Sequence, residues 1–148
     1  MLTFDENFTR MKKIFKIALL CAAVIGALVS FSSCSKDSMA NSKLIGKWQA
    51  ETITTGPLTI DFNEMLGGEM FITLKKGGGF VVELVSEKES ETLMGTWLYS
   101  DGILTTNIEG EESVMTVVEL TNRNLVVSQK GVIMDQETEA TLTFKKVR

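Results

Sequence analysis

The chain has 148 residues with 15 basic against 19 acidic side chains, 44% hydrophobic residues and no histidine. That length suits one domain with a single core, and the missing histidine removes the commonest general base together with the commonest zinc ligand. A net charge of −4 repels phosphate backbones and disfavours nucleic acid as a partner.

The first 33 residues read as processing sequence. Lys12, Lys13 and Lys16 make a compact cationic start after Met11, and an apolar run follows from Ile17 to Phe31. As a helix, that run spans about 22 Å, short of the roughly 30 Å hydrocarbon core that a permanent spanning helix must cross. A basic start, a short apolar stretch and small residues in that order form a secretory signal. Translation is expected to begin at Met11, with residues 1–10 upstream of it. Removing the four basic and two acidic residues of 1–33 leaves a balance of −6 on the mature chain.

Phe31, Ser32, Ser33 and Cys34 resemble the lipobox of Gram-negative bacterial lipoproteins, with Phe31 where Leu is commonest. The resemblance implies cleavage before Cys34 and diacylglyceryl (palmitate-type) lipidation of its sulfur. Two acyl chains anchor a protein stably to a bilayer. The expected location is therefore the cell envelope, on the outer membrane, facing periplasm or cell surface. Lys36 and Asp37 resemble a surface-export signal of such lipoproteins. The other cysteine, Cys21, falls in the leader, so no disulfide can staple the mature domain. Residues 34–43 are small and polar, without apolar periodicity, and are expected to be a polar tether, read as linker.

From 44 to 148 the chain alternates apolar and polar residues in short runs separated by turn residues. Lys47 to Thr54 sets Trp48, Ala50 and Thr52 on one face. Gly56 to Gly68 contains Asp61 to Leu66, expected as one short helix ended by Gly67 and Gly68. Glu69 to Lys75 aligns Met70, Ile72 and Leu74; after the turn at Gly77–Gly79, Phe80, Val82 and Leu84 continue that face. Thr92 to Tyr99 carries Leu93, Trp97 and Tyr99 on one side. Asp101-Gly102 is a hairpin signal, because both residues tolerate the positive φ of tight primed turns. Strands are then expected over Ile103–Ile108, Val114–Leu120 and Leu125–Lys130, with a weaker one from Val132. The last, Glu139–Val147, sets Ala140, Leu142 and Phe144 against Thr141, Thr143 and Lys145. Short links join antiparallel neighbours. The fold class expected is therefore all-β, an up-and-down meander of about eight strands that closes into a small barrel or stacks as a sandwich. Closure is favoured because it leaves no exposed edges.

Leu44, Ile45, Gly46, Lys47 and Trp48 open the domain as lipocalin-like chains open, and Gly95-Thr96-Trp97 repeats the Gly-x-Trp mid-chain. The stretch from Leu44 to Val147 resembles the small lipocalin-like domains of bacterial lipoproteins. That resemblance implies an eight-stranded barrel with the Trp48 indole across its closed end and a basic residue, Lys146 or Arg148, stacked on it. The Thr-Asp-Tyr turn motif of lipocalins proper is missing.

An eight-stranded barrel is either filled by its side chains or holds one small ligand. Trp48, Met70, Ile72, Leu74, Phe80, Leu84, Trp97, Leu142 and Phe144 are candidates to point inward and fill it. The alternative is an apolar cup under a lid of Leu58, Ile60, Phe62, Met65 and Leu66, binding a small hydrophobic molecule or lipid with Trp48 and Trp97 as further contacts. A filled barrel would serve instead as a structural, protein-interaction or inhibitor module of the envelope, its contacts made by polar loops around Glu89, Glu109 and Asn122. The chain does not read as an enzyme, since a nucleophilic triad lacks its base. No cofactor or metal is implied: the Glu109, Glu111 and Glu112 cluster has no loop to wrap calcium, and the triple glycine lacks the Lys-Ser/Thr ending of a phosphate loop.

Overall fold

The computed structural model describes residues 34–133 and 136–148. The expected leader, its Met11 start and the lipobox residues before Cys34 lie outside the described residues. Nine strands run in chain order: β1 (Gly46–Thr55), β2 (Leu58–Asp61), β3 (Gly68–Leu74), β4 (Gly79–Ser86), β5 (Ser90–Ser100), β6 (Ile103–Ile108), β7 (Glu111–Leu120), β8 (Asn124–Ile133) and β9 (Gln136–Lys146). Helix α1 (Cys34–Leu44) precedes β1, and α2 (Phe62–Leu66) links β2 to β3.

Sequential strands pair antiparallel from β3 to β9, and β9 returns to β1 with Trp48 opposite Lys146 and Thr55 opposite Ala140. Along its other edge β1 is shared. Gly46 to Gln49 pair with β3, and Thr52 to Thr55 pair with the short β2. Eight strands thus close an antiparallel barrel, with β2 as an annex at one rim. The closure decides for the barrel over the sandwich.

Three local expectations need correction. Residues 34–43, read as a polar linker, are helical throughout; an apolar stripe is not needed where the helix is held by its C-terminal end, as below. The weaker strand expected from Val132 is the continuation of β8, because Gly131 keeps its place in the ladder opposite Thr138. Gly56 to Gly68 contributes a strand as well as a helix: Gly56, at φ 58°, turns the chain so that Leu58 pairs back onto Thr55. The helix itself is as expected except that it begins at Phe62, with Asp61 just outside it. Asp61 caps it by accepting from the backbone N–H groups of Asn63 (2.8 Å) and Glu64 (3.3 Å), and Gly67 ends it in the left-handed conformation.

β1 also shows how one extra residue redirects a face. The register against β9 slips between Ala50 and Thr52, leaving Glu51 as a bulge. Trp48 and Ala50 point into the core, as their alternation predicts, but beyond the bulge it is Ile53 rather than Thr52 that faces inward.

The barrel has two unlike ends. α1 lies at the end where β1 begins. There the Trp48 indole N–H donates to the Leu44 carbonyl at 2.8 Å, and the Lys146 ammonium donates to the Lys43 carbonyl at 3.0 Å. The same ammonium sits 5.0 Å from the Trp48 ring centre. Carbonyls left over at a helix C-terminus carry partial negative charge, so a cation and an indole N–H suit them. Gly46, at φ 138°, is required here because L side chains rarely adopt that backbone conformation. Leu44 and Leu74, fully buried, complete the plug. β2 and α2 lie at the opposite end.

Candidate ligand-binding cavity

The interior beyond the plug is not filled. A cavity of about 110 Å³ lies under α2. Phe62, Met65 and Leu66 of α2 form one side of it. Met70 and Ile72 of β3, with Leu142 and Phe144 of β9, line the wall on either side of Ile53. Leu104, Met115, Leu125 and Val127 line the far wall, together with the uncharged polar side chains of Thr106 and Gln129. None of the lining residues carries a charge. An engineered apolar cavity of about 150 Å³ stays dry and binds benzene, whereas drug-sized ligands occupy roughly 300–1,000 Å³. The space therefore matches one small apolar molecule. Three of its walls are methionine side chains, which repack more readily than branched ones.

The inward candidates lie in the core or pack against it, and Met70, Ile72, Phe80, Leu142 and Phe144 also line the cavity. The candidate ligand residues divide. Phe62, Met65 and Leu66 meet at the cavity as the lid reading expects. Trp48 and Trp97 do not reach it. Trp48 is held at the plug by its bond to Leu44, and the Trp97 indole donates to the Lys75 carbonyl at 2.9 Å, in the β3–β4 turn. Two residues before it, Gly95 lies so close to β6 that it has no room for a side chain; a Cβ there would fall 1.9 Å from the Asn107 carbonyl oxygen. Ile60 lies opposite Ile53 on β2 but outside the lining, and Leu58, two residues earlier beside the turn, is 57% exposed. β2 is paired along one edge only and is too short to fold over the opening.

Sequence reasoning missed Leu104, Thr106, Met115, Leu125, Val127 and Gln129. Their signal was present as period-two burial on β6, β7 and β8, where Leu104 and Thr106, then Ser113 and Met115, then Leu125, Val127 and Gln129 all turn inward. The polar members of each run disguise the inner face. Ile53 is hidden by the bulge. Among the described residues no three Cys, Asp or Glu side chains converge as a metal site. Every pairing that closes the wall lies within residues 46–146, so the barrel needs nothing upstream of α1 to form.

Comparison with known proteins agrees with this architecture. A family model described as a lipocalin-like domain matches residues 44–127. The crystal structure of a lipocalin-like protein from Bacteroides uniformis superposes with a TM-score of 0.57 at 13% identity, over 71% of this chain and 99% of that one. An uncharacterized protein from Bacteroides eggerthii superposes with a TM-score of 0.54 at 14% identity, over 70% of this chain and 99% of that one. No curated protein matches the sequence.

Proposed function

This chain belongs to the lipocalin-like domain family, and from that premise we propose that its barrel binds a small hydrophobic molecule while a lipid on Cys34 tethers it to the cell envelope. The observation that carries the binding half is the uncharged cavity of about 110 Å³ beneath α2. A barrel evolved only as a solid scaffold has no reason to leave such a space, because every unfilled void forfeits contacts among the atoms that line it. Binding, not catalysis, is the role that an uncharged apolar wall supports.

The tether follows from the lipobox resemblance and from where Cys34 falls. It opens α1, whose other end is fastened to the plug. A lipid there would put the closed end of the barrel toward the membrane and the α2 end away from it, toward periplasm or exterior. Labelled palmitate should enter the wild-type chain in a Gram-negative host and be absent from Cys34→Ser; label in the variant would refute the anchor.

The binding half is tested by titrating residues 34–148 with toluene and following binding by calorimetry. Saturable binding of one equivalent is expected, and Leu142→Phe, which puts extra bulk into the cavity wall, should abolish it without unfolding the barrel. No heat at any concentration in the wild type, or binding unaltered in Leu142→Phe, would reject it. A second reading, an envelope interaction module, draws support from the outer face of β5, where Met94 and Leu98 are 71% and 66% exposed. Cross-linking in intact envelopes that recovers no partner through this face would count against it.

A further inference from the structure

One side chain in the cavity is unexplained by an all-apolar ligand. Thr106, in the middle of β6, is 1% exposed and lines the cavity, yet its hydroxyl oxygen Oγ1 finds no hydrogen-bond partner among the described residues. Native interiors leave few hydroxyls in that state, because desolvating one without replacing its bonds to water is unfavourable. Valine would fill the same position without that penalty. Beside it, Thr106 pairs across the ladder with Ser113, and Ser113 Oγ accepts a hydrogen bond of 3.1 Å from Gln129 Nε2. Gln129, 6% exposed, also lines the cavity, and this bond holds its amide in place. Three consecutive strands thus place a polar spot in a wall otherwise made of Leu, Ile, Val, Met and Phe.

Resting on the binding role proposed above, we infer that the ligand is a neutral molecule of about benzene's size with a single oxygen function, a ketone or an alcohol, and that this oxygen completes the hydrogen bonding of Thr106. A threonine hydroxyl can donate to a carbonyl or accept from an alcohol, which accommodates both. A carboxylate does not fit. Burying an ionised group requires an opposite charge or several donors, and among the described residues no Lys or Arg lines the cavity. Size sets the other bound: the space matches six or seven heavy atoms rather than a long chain.

The test uses residues 34–148 with three probes: cyclohexanone, cyclohexane and hexanoate. Wild type should bind cyclohexanone and cyclohexane and leave hexanoate unbound. Thr106→Val should weaken cyclohexanone about tenfold, the loss of one hydrogen bond, and leave cyclohexane as tight or tighter. Thr106→Ser, which keeps the hydroxyl, should restore the preference. Without ligand, Thr106→Val should melt no lower than wild type, since no partner is lost. The inference is overturned if Thr106→Val binds cyclohexanone as well as wild type does, if its ligand-free melting temperature falls, or if hexanoate binds like the ketone. If neither neutral probe binds wild type, the binding role itself fails; if cyclohexane binds and only the Thr106 effect is missing, that role stands and this inference alone falls.

Discussion

The two ends of the barrel solve opposite problems with similar materials. At the α1 end Trp48, Leu44 and Leu74 are fully buried, and the carbonyls that end the helix are met by an indole and an ammonium. At the α2 end three methionines and three phenylalanines surround a space they do not fill, and a buried hydroxyl goes unpartnered among the described residues. Cohesion is concentrated where polar atoms are satisfied and packing is dense. Room for a guest is found where both conditions are relaxed. A small domain has little stability to spare, commonly about 5–15 kcal/mol in all, so a cavity at one end requires a firm plug at the other.

Substitutions can break or sharpen this contrast. The largest effect is expected at the plug: Trp48→Ala removes a fully buried indole and its bond to Leu44, and should cost about 3–5 kcal/mol in denaturant unfolding. A loss below about 1 kcal/mol would mean that the plug is not where stability resides. Lys146→Met keeps much of the apolar stem but drops the charged bond to Lys43 and the stacking on Trp48; about 1–2 kcal/mol should be lost, with α1 exchanging its amide hydrogens faster than the strands do. The smallest effect belongs to the cavity end. Asp61→Ala removes only the cap of α2 and should cost about 1 kcal/mol. Its signature is specific: toluene affinity should drop as α2 frays, while hydrogen exchange at α1 stays unchanged. Equal losses from Lys146→Met and Asp61→Ala in both exchange and affinity would erase the distinction between the ends.

The plug was more legible in the sequence than the cavity. Gly46 and Trp48 sit one residue apart on a strand with clear alternation, and Lys146 was one of two basic residues available to stack on the indole. Helix α2 was legible through the two glycines that end it, whereas Asp61 was counted within the helix rather than as its cap. The far wall was not, because its inner faces carry Thr106, Ser113 and Gln129 at positions where period-two reasoning looks for apolar residues. The same polar residues that obscured the wall are those that give the cavity its chemistry. Ile53 was obscured differently: Glu51 adds a residue to β1 that β9 does not match, and every side chain beyond it changes sides. Leu58 shows the reverse error, an apolar residue assigned to a lid that an edge strand leaves in solvent. Apolar character alone did not distinguish a wall from a rim.

Crystals of residues 34–148 pressurised with xenon offer the most direct test of the void under α2, since the gas occupies dry apolar cavities and reports them as electron density. A xenon atom should appear among Phe62, Leu66, Met115 and Val127, with the plug around Trp48 empty of it. A barrel interior without xenon at saturating pressure, its side chains closed over that space, would show a solid core and remove the basis for a guest.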